Sequence, residues 1–283
     1  MRLRLDLAYD GTAFAGWGIQ PELRTVQGVV EEALATILRL DAPARLIVAG
    51  RTDAGVHASG QVVHVDLPTL ASFVTPDGSF DLQEFENRLA GILKRDPDVV
   101  LRRASVAPEG FDARFSAMAR RYEYRLQDDA RAYNPLERYR SVWTPKPLDV
   151  DQMNETASSM LGLRDFGAFC RPRPGATTVR ELLEFEWRRE ADGVVVCHIM
   201  ADAFCHSMVR SLVGACVATG NGRIQQSELE DVRDGGERTA LFKVMPPHGL
   251  NLVEVIYPPD DELGARAELT RSRRDLLDDE AIA

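Results

Sequence analysis

The residues best equipped for chemistry lie in the run Gly50-Arg51-Thr52-Asp53-Ala54-Gly55-Val56-His57-Ala58. It sets one carboxylate, Asp53, in a turn-forming segment between the apolar runs Leu46-Ile47-Val48 and Val62-Val63-His64-Val65. Gly50 and Gly55 tolerate backbone angles that Cβ-bearing residues avoid, so the chain can bend sharply around the carboxylate. Arg51 and Thr52 supply a cation and a hydroxyl beside it. A lone Asp in a turn ordinarily bonds its own backbone, whereas an ionised Asp in a dry pocket can serve as a nucleophile. His57 is a candidate general base, or a turn histidine bonded to backbone. Asp53 and His57 have no third ligand at usable spacing, so no metal site is expected. Cys170, Cys197, Cys205 and Cys216 form no Cys-x-x-Cys pair, and although His198 and His206 follow two of them, the apolar surroundings favour buried free thiols over zinc.

The elements that must hold these groups can be read from periodicity. Leu3, Leu5, Leu7 and Tyr9 alternate with polar residues, as on a half-buried strand. Val26, Val29, Val30, Ala33, Leu34, Ile37 and Leu38 follow helical spacing, with Thr25 as N-cap. The apolar runs flanking Asp53 predict strands, Asp81 with Glu84 opens a second helix, and residues 99–106 add a strand. In the second half, Tyr122, Tyr124 and Leu126 share one strand face, with Arg121, Glu123 and Arg125 on the other. A helix opens at Asp149, a hairpin turns at residues 191–193, and a helix spans about residues 204–219. It carries Arg210 beside an apolar stripe, where an arginine ordinarily snorkels to solvent. Ser227 with Glu230 caps a short helix, and Leu250 to Tyr257 forms a last strand. Proline-rich stretches near 132–147 and 171–175 read as connecting loops.

This rhythm predicts an α+β fold of duplicated ferredoxin-like, split βαβ halves. Their mostly antiparallel sheets would join edge to edge, with helices on one side and an active-site cleft between the halves. The expected division is an N-terminal half over 1–108 carrying the Asp53 loop, a C-terminal half over 109–259, and a charged flexible tail over 260–283.

The chain has 283 residues, 45% hydrophobic and 28% charged, as in a folded globular protein. No apolar run reaches membrane-span length, and the first residues lack the apolar block of a signal peptide, so a cytoplasmic location without membrane attachment is expected. A net charge of −10 argues on its face against nucleic acid. Its distribution argues less. Residues 102–140 hold nine arginines against six acids, whereas residues 260–283 hold eight acids against four arginines. Arginine also makes up 31 of the 34 basic residues, and guanidinium suits bidentate phosphate contact.

The motifs around Asp53 extend into a longer series. Asp10-Gly11-Thr12 precedes Phe14-Ala15-Gly16-Trp17, and Arg24-Thr25-Val26-Gln27-Gly28 follows. Then come Phe111-Asp112-Ala113-Arg114-Phe115-Ser116-Ala117, Arg120-Arg121-Tyr122-Glu123-Tyr124, and Asp165-Phe166 with Phe169. Phe204, His206-Ser207-Met208-Val209-Arg210 and Pro247-His248-Gly249-Leu250 complete it. In order and spacing, across about residues 1–258, the chain resembles the tRNA pseudouridine synthase A family.

That resemblance implies conversion of uridine to pseudouridine at positions 38, 39 and 40 in the anticodon stem-loop of tRNA. The C1′–N1 bond breaks and C1′ bonds C5 of the same ring, so no cofactor is required. By resemblance Asp53 is the catalytic carboxylate, attacking covalently or stabilising a glycal-like species. Arg210 would hold it ionised in a desolvated site, and Tyr122 would stack on the flipped uracil. Arg51 would contact phosphate or help displace the base, or is a plain surface arginine. A homodimer is also implied. Gly18, Ser207 and Asn251 depart from the family's usual residues and leave Asp53, Tyr122 and Arg210 untouched. Two other classes compete: a carboxylate-dependent nucleoside or glycoside hydrolase, for which no second acid is evident, and a catalytically silent RNA-binding protein, for which the aromatic RNA-binding consensus is missing.

Overall fold

A computed structural model describes residues 1–67, 73, 75, 77–172 and 177–280, the last eight as helical backbone alone. The chain is a mixed α+β protein with two compact units. One comprises Met1–Met118 with Leu252–Ala283, and the other Ala119–Asn251. The division therefore falls ten residues beyond the expected 108/109 boundary, and the chain returns to the first unit at Leu252.

The first unit contains β1 (Arg2–Tyr9), α1 (Val26–Leu38), β2 (Ile47–Val48), β3 (His57–Asp66), α2 (Leu82–Leu93) and β4 (Val99–Val106). β1 is central and antiparallel to both β3 and β4, while β2 pairs with β3. The predicted alternation holds: Leu3, Leu5 and Leu7 are fully buried, and Arg2, Arg4 and Asp6 are half-buried on the other face. Thr25 caps α1 by accepting from Gly28 N, and Asp81 caps α2 by accepting from Glu84 N.

One irregularity in this sheet bears on the site. Leu7 is opposite Gln61 whereas Tyr9 is opposite Ala58, so β3 bulges against β1. Gly60 sits in the bulge. A Cβ there would lie 1.9 Å from Val253 O, so only glycine lets the bulged strand approach that backbone.

The second unit contains β5 (Ala119–Gln127), β6 (Val142–Trp143), α3 (Val150–Ser159), β7 (Gly162–Asp165), β8 (Val179–Arg189), β9 (Val195–Ala201), α4 (Met208–Gly220) and α5 (Gln226–Gly235). Its strands run in the order β5-β9-β8-β7, each pair antiparallel, and β6 adds a short parallel pairing to β5. Tyr122, Tyr124 and Leu126 are buried on one face of β5, as the alternation predicts. α4 is buried along nearly its whole length, including the free thiol Cys216.

Three local expectations are corrected. α4 begins at Met208, not near 204, because Ser207 takes a left-handed conformation (φ 66°) that a helix cannot absorb. The short helix α5 is capped by Gln225, two residues before the predicted Ser227, and Glu228 reaches back 2.7 Å to the Gln225 N–H. Cys170 and Cys205 are not free thiols but a disulfide with Cα atoms 5.7 Å apart, while Cys197 and Cys216 are free and buried.

β10 (Leu250–Ile256) carries the chain back beside β3, and α6 (Leu263–Glu280) follows. The region expected as a flexible tail is thus largely helical. Leu263 and Ala267 are buried, Leu263 O accepts from Ser116 Oγ at 3.0 Å, and Arg271 pairs with Asp112 at 2.8 Å. The charge that suggested disorder is partly consumed by this docking. Of the proline-rich stretch at 171–175, residues 173–175 lie outside the described residues. No helix among the described residues is long and apolar enough to cross a membrane.

Candidate active site

Asp53 sits on the connection from β2 to β3, half-buried, and the chain around it is tied down at nearly every peptide. Its own carbonyl accepts from Val56 N at 3.1 Å, closing a turn. Thr52 O accepts from Trp17 N at 3.0 Å, and Gly55 N donates to Phe14 O at 3.3 Å. The loop is therefore laced to the corner that follows β1, and the two segments named first and second in the sequence series form one piece.

That lacing needs close approach. A Cβ on Gly11 would lie 2.0 Å from Val56 O, so no other residue lets the corner cross the loop here. Gly11 N donates 3.0 Å to His57 Nδ1, which makes His57 a buried acceptor that fixes the corner. Since Nδ1 already receives this proton, the 3.1 Å approach of the Asp10 carboxylate to the same nitrogen is a contact and not a second hydrogen bond. The turn-histidine reading of His57 fits this geometry; a general base would need that lone pair unoccupied or its other nitrogen at the reacting proton.

The corner is anchored in turn. Asp10 N donates to Asp98 O at 2.9 Å. The Arg24 guanidinium bridges Asp96 and Asp98 and stacks on Phe14 at 4.1 Å. Beneath the loop, Tyr9 Oη lies 2.8 Å from Thr52 Oγ1, and Gln61 Nε2 donates to Tyr9 Oη and Gly50 O. Burial pushes the Tyr9 phenol up to about 12, against the opposing pull of its bonds to Thr52 and Gln61. Arg51 is exposed, its Nε near Gly18, where a Cβ would stand 3.9 Å away.

The other candidates belong to the second unit. Tyr122, 8% exposed, lies on β5 with its ring edge-on to Phe204 at 5.3 Å. The loop bearing Phe204 is held by the Cys170–Cys205 disulfide and by Arg171 N donating to His206 O at 2.9 Å. Arg210 is half-buried in the first turn of α4, donating to Met245 O and Ser207 Oγ at 3.3 and 3.2 Å. It does not simply snorkel to solvent. Its charge also reaches Tyr124, where it opposes the upward push that burial exerts on that phenol.

The structure thus groups Asp53 and Arg51 on one loop, Tyr122 with Phe204, and Arg210 with Ser207 and Met245. Sequence reasoning passes over Tyr9 and Gln61 as strand residues. Gln61 carries a weak signal, being an amide at the head of an apolar run.

A family model described as tRNA pseudouridine synthase matches residues 156–258. Over 282 residues the chain is 55% identical to a tRNA pseudouridine synthase A of Leifsonia xyli subsp. xyli, covering 97% of this chain and 98% of that relative. It is 52% identical over 274 residues to that of Frankia casuarinae, covering 97% and 96%. To that of Mycobacterium leprae it is 48% identical over 280 residues, covering 97% and 96%.

The raised Tyr9 pKa fixes a pH dependence. In the unfolded chain the phenol loses its proton near its ordinary value of 10.0, and in the folded chain near 12. The unfolded state therefore releases the proton first, and stability is expected to fall as pH rises through that window. Urea midpoints measured across it should decline less steeply for Tyr9→Phe than for the wild type.

Proposed function

Because the chain belongs to the tRNA pseudouridine synthase A family and so isomerises uridine to pseudouridine in tRNA, we propose that it acts on positions 38, 39 and 40 of the anticodon stem-loop with Asp53 as the reacting carboxylate. The observation that carries this reading is the construction around Asp53. The bond from Val56 N to Asp53 O closes the turn, and the bonds from Trp17 N to Thr52 O and from Gly55 N to Phe14 O fasten the loop to the corner after β1, so the half-buried Asp53 is presented from a fixed main chain.

The reaction needs little else. The C1′–N1 bond breaks, the detached uracil turns within the site, and C1′ bonds C5, whose proton is released while N1 gains one. Reactant and product have the same atoms, so no oxidant, water or phosphate is consumed. The carboxylate of Asp53 either bonds C1′ or stabilises a glycal-like species, and both roles require it ionised. Excluding water keeps the detached base from escaping.

Tyr122 receives the extruded base, its ring held edge-on by Phe204. Arg210 supplies a guanidinium whose orientation is set by Ser207 and Met245, and Arg51, exposed beside the carboxylate, meets the RNA backbone. The site works without a cofactor. The enzyme functions in the cytoplasm as a homodimer, so that one tRNA is met by a larger surface than one acidic chain offers, and both units follow a duplicated split βαβ plan. For the first unit, the antiparallel β4-β1-β3 order, with β2 paired antiparallel to β3 beside β10 and with α1 and α2, supports that plan.

Asp53→Asn is expected to lower pseudouridine formation by on the order of 1,000-fold or more while tRNA binding, followed by filter retention, is kept. Joint loss of binding and folding would instead make Asp53 structural, and release of free uracil from tRNA would point to a hydrolase. Arg210→Lys is expected to slow turnover roughly 100-fold, because an ammonium cannot keep both planar contacts. A single-turnover rate near wild type would remove Arg210 from the site.

A further inference from the structure

We propose that Gln61, Tyr9 and Thr52 form a one-directional hydrogen-bond relay whose task is to position Asp53. The inference rests on Asp53 carrying the chemistry, as proposed above.

Direction follows from counting protons. Gln61 is completely buried within β3, on the face it shares with Leu7 and Tyr9. Its Oε1 accepts from Val62 N at 3.2 Å, and its Nε2 donates to Gly50 O at 2.9 Å and to Tyr9 Oη at 3.1 Å. Turning the amide over would set oxygen against oxygen at Gly50 and N–H against N–H at Val62, so one orientation is allowed. Tyr9 Oη, receiving a proton from Gln61, has one of its own to give. In a site 5% exposed that proton needs an acceptor, and Thr52 Oγ1 stands 2.8 Å away. Hydrogen bonds therefore run from Gln61 through Tyr9 to Thr52. The phenol, held up near 12 by burial, keeps its proton throughout the neutral range.

Position follows from where the relay grips. Gln61 holds the Gly50 carbonyl, three residues before Asp53, and Tyr9 holds the Thr52 side chain, one residue before it. Trp17 N holds the Thr52 carbonyl as well. Thr52 is thus pinned on its side chain and on its main chain, and the direction in which the chain enters Asp53 is set. A leucine at residue 61 would fill the same core more cheaply, since a buried amide is costly unless every bond is made. Apolar packing is non-directional, however, and would leave the loop free to slide. The bulge at Gly60 lies between the Leu7–Gln61 and Tyr9–Ala58 pairings, directly beside the relay.

The test compares Tyr9→Phe, Thr52→Val, Thr52→Ser and the double variant Tyr9→Phe/Thr52→Val with wild type. For each, kcat and KM for tRNA and the urea midpoint are measured. Tyr9→Phe and Thr52→Val should each lower kcat about 10- to 100-fold with KM unchanged and the protein fully folded under assay conditions. Thr52→Ser, which keeps the hydroxyl, should stay within about 3-fold of wild type, and the double variant should be no slower than the slower single one. The proposal is overturned by kcat near wild type in the two hydroxyl deletions, by losses that multiply in the double variant, or by losses confined to KM. Should Tyr9→Phe not fold, the contrast between Thr52→Val and Thr52→Ser decides the matter by itself. Asp53→Asn, assayed alongside, separates the two layers. An active Asp53→Asn overturns the catalytic reading and the relay with it, whereas an inactive one beside unimpaired hydroxyl deletions overturns the relay alone.

Discussion

A reacting carboxylate has to be held still through its backbone, because its oxygens are wanted elsewhere. For Asp53, the carboxylate proposed to react, the crossing of the Asp10–Trp17 corner over its loop would meet that constraint. Main-chain bonds at Thr52 O and Gly55 N join the two segments, and the bond from Val56 N to Asp53 O closes the turn between them. Gly11 lies against Val56 O with no room for a side chain. The corner is itself fastened to the start of β4 by Asp98 and by Arg24, which bridges two carboxylates and covers Phe14. Rigidity at Asp53 therefore descends from the sheet, through the corner, to the loop.

This explains why some features are legible in the sequence and others not. Strands β1 and β5 announce themselves because one face is buried and side chains alternate with period two. The caps of α1, α2 and α3 are legible because Thr25, Asp81 and Asp149 each bond a backbone N–H three residues on, a local interaction. The start of α4 is misread because Phe204, Cys205 and His206 suit a helix by type. What stops them is tertiary: the disulfide to Cys170, the Arg171–His206 bond and the left-handed Ser207. The bulge in β3 and the orientation of Gln61 are likewise set by partners far along the chain, which periodicity does not register.

The candidate residues divide in the same way. Asp53 is legible because glycine-flanked polar residues between two strands form a local signature. Tyr122 and Arg210 stand out only through family resemblance, and their composition alone suggests core and surface. Tyr122 is buried, as the core reading has it, with Phe204 edge-on to its ring, whereas Arg210 departs from the surface reading, half-buried with two oxygens orienting it. The acidic C-terminal segment shows the opposite failure. Its charge and low aromatic content read as a tail, yet Leu263, Ala267 and the Arg271–Asp112 pair dock it on the Phe111–Ala117 block. A few well-placed contacts outweigh the composition.

Uridine isomerisation by one positioned carboxylate is tested most directly by mapping pseudouridine, nucleotide by nucleotide, in anticodon stem-loop transcripts incubated with the purified wild-type chain alone. Pseudouridine at positions 38, 39 and 40, formed without added cofactor and without free uracil, is the predicted result. Unmodified transcripts, or pseudouridine confined to other positions, would contradict it.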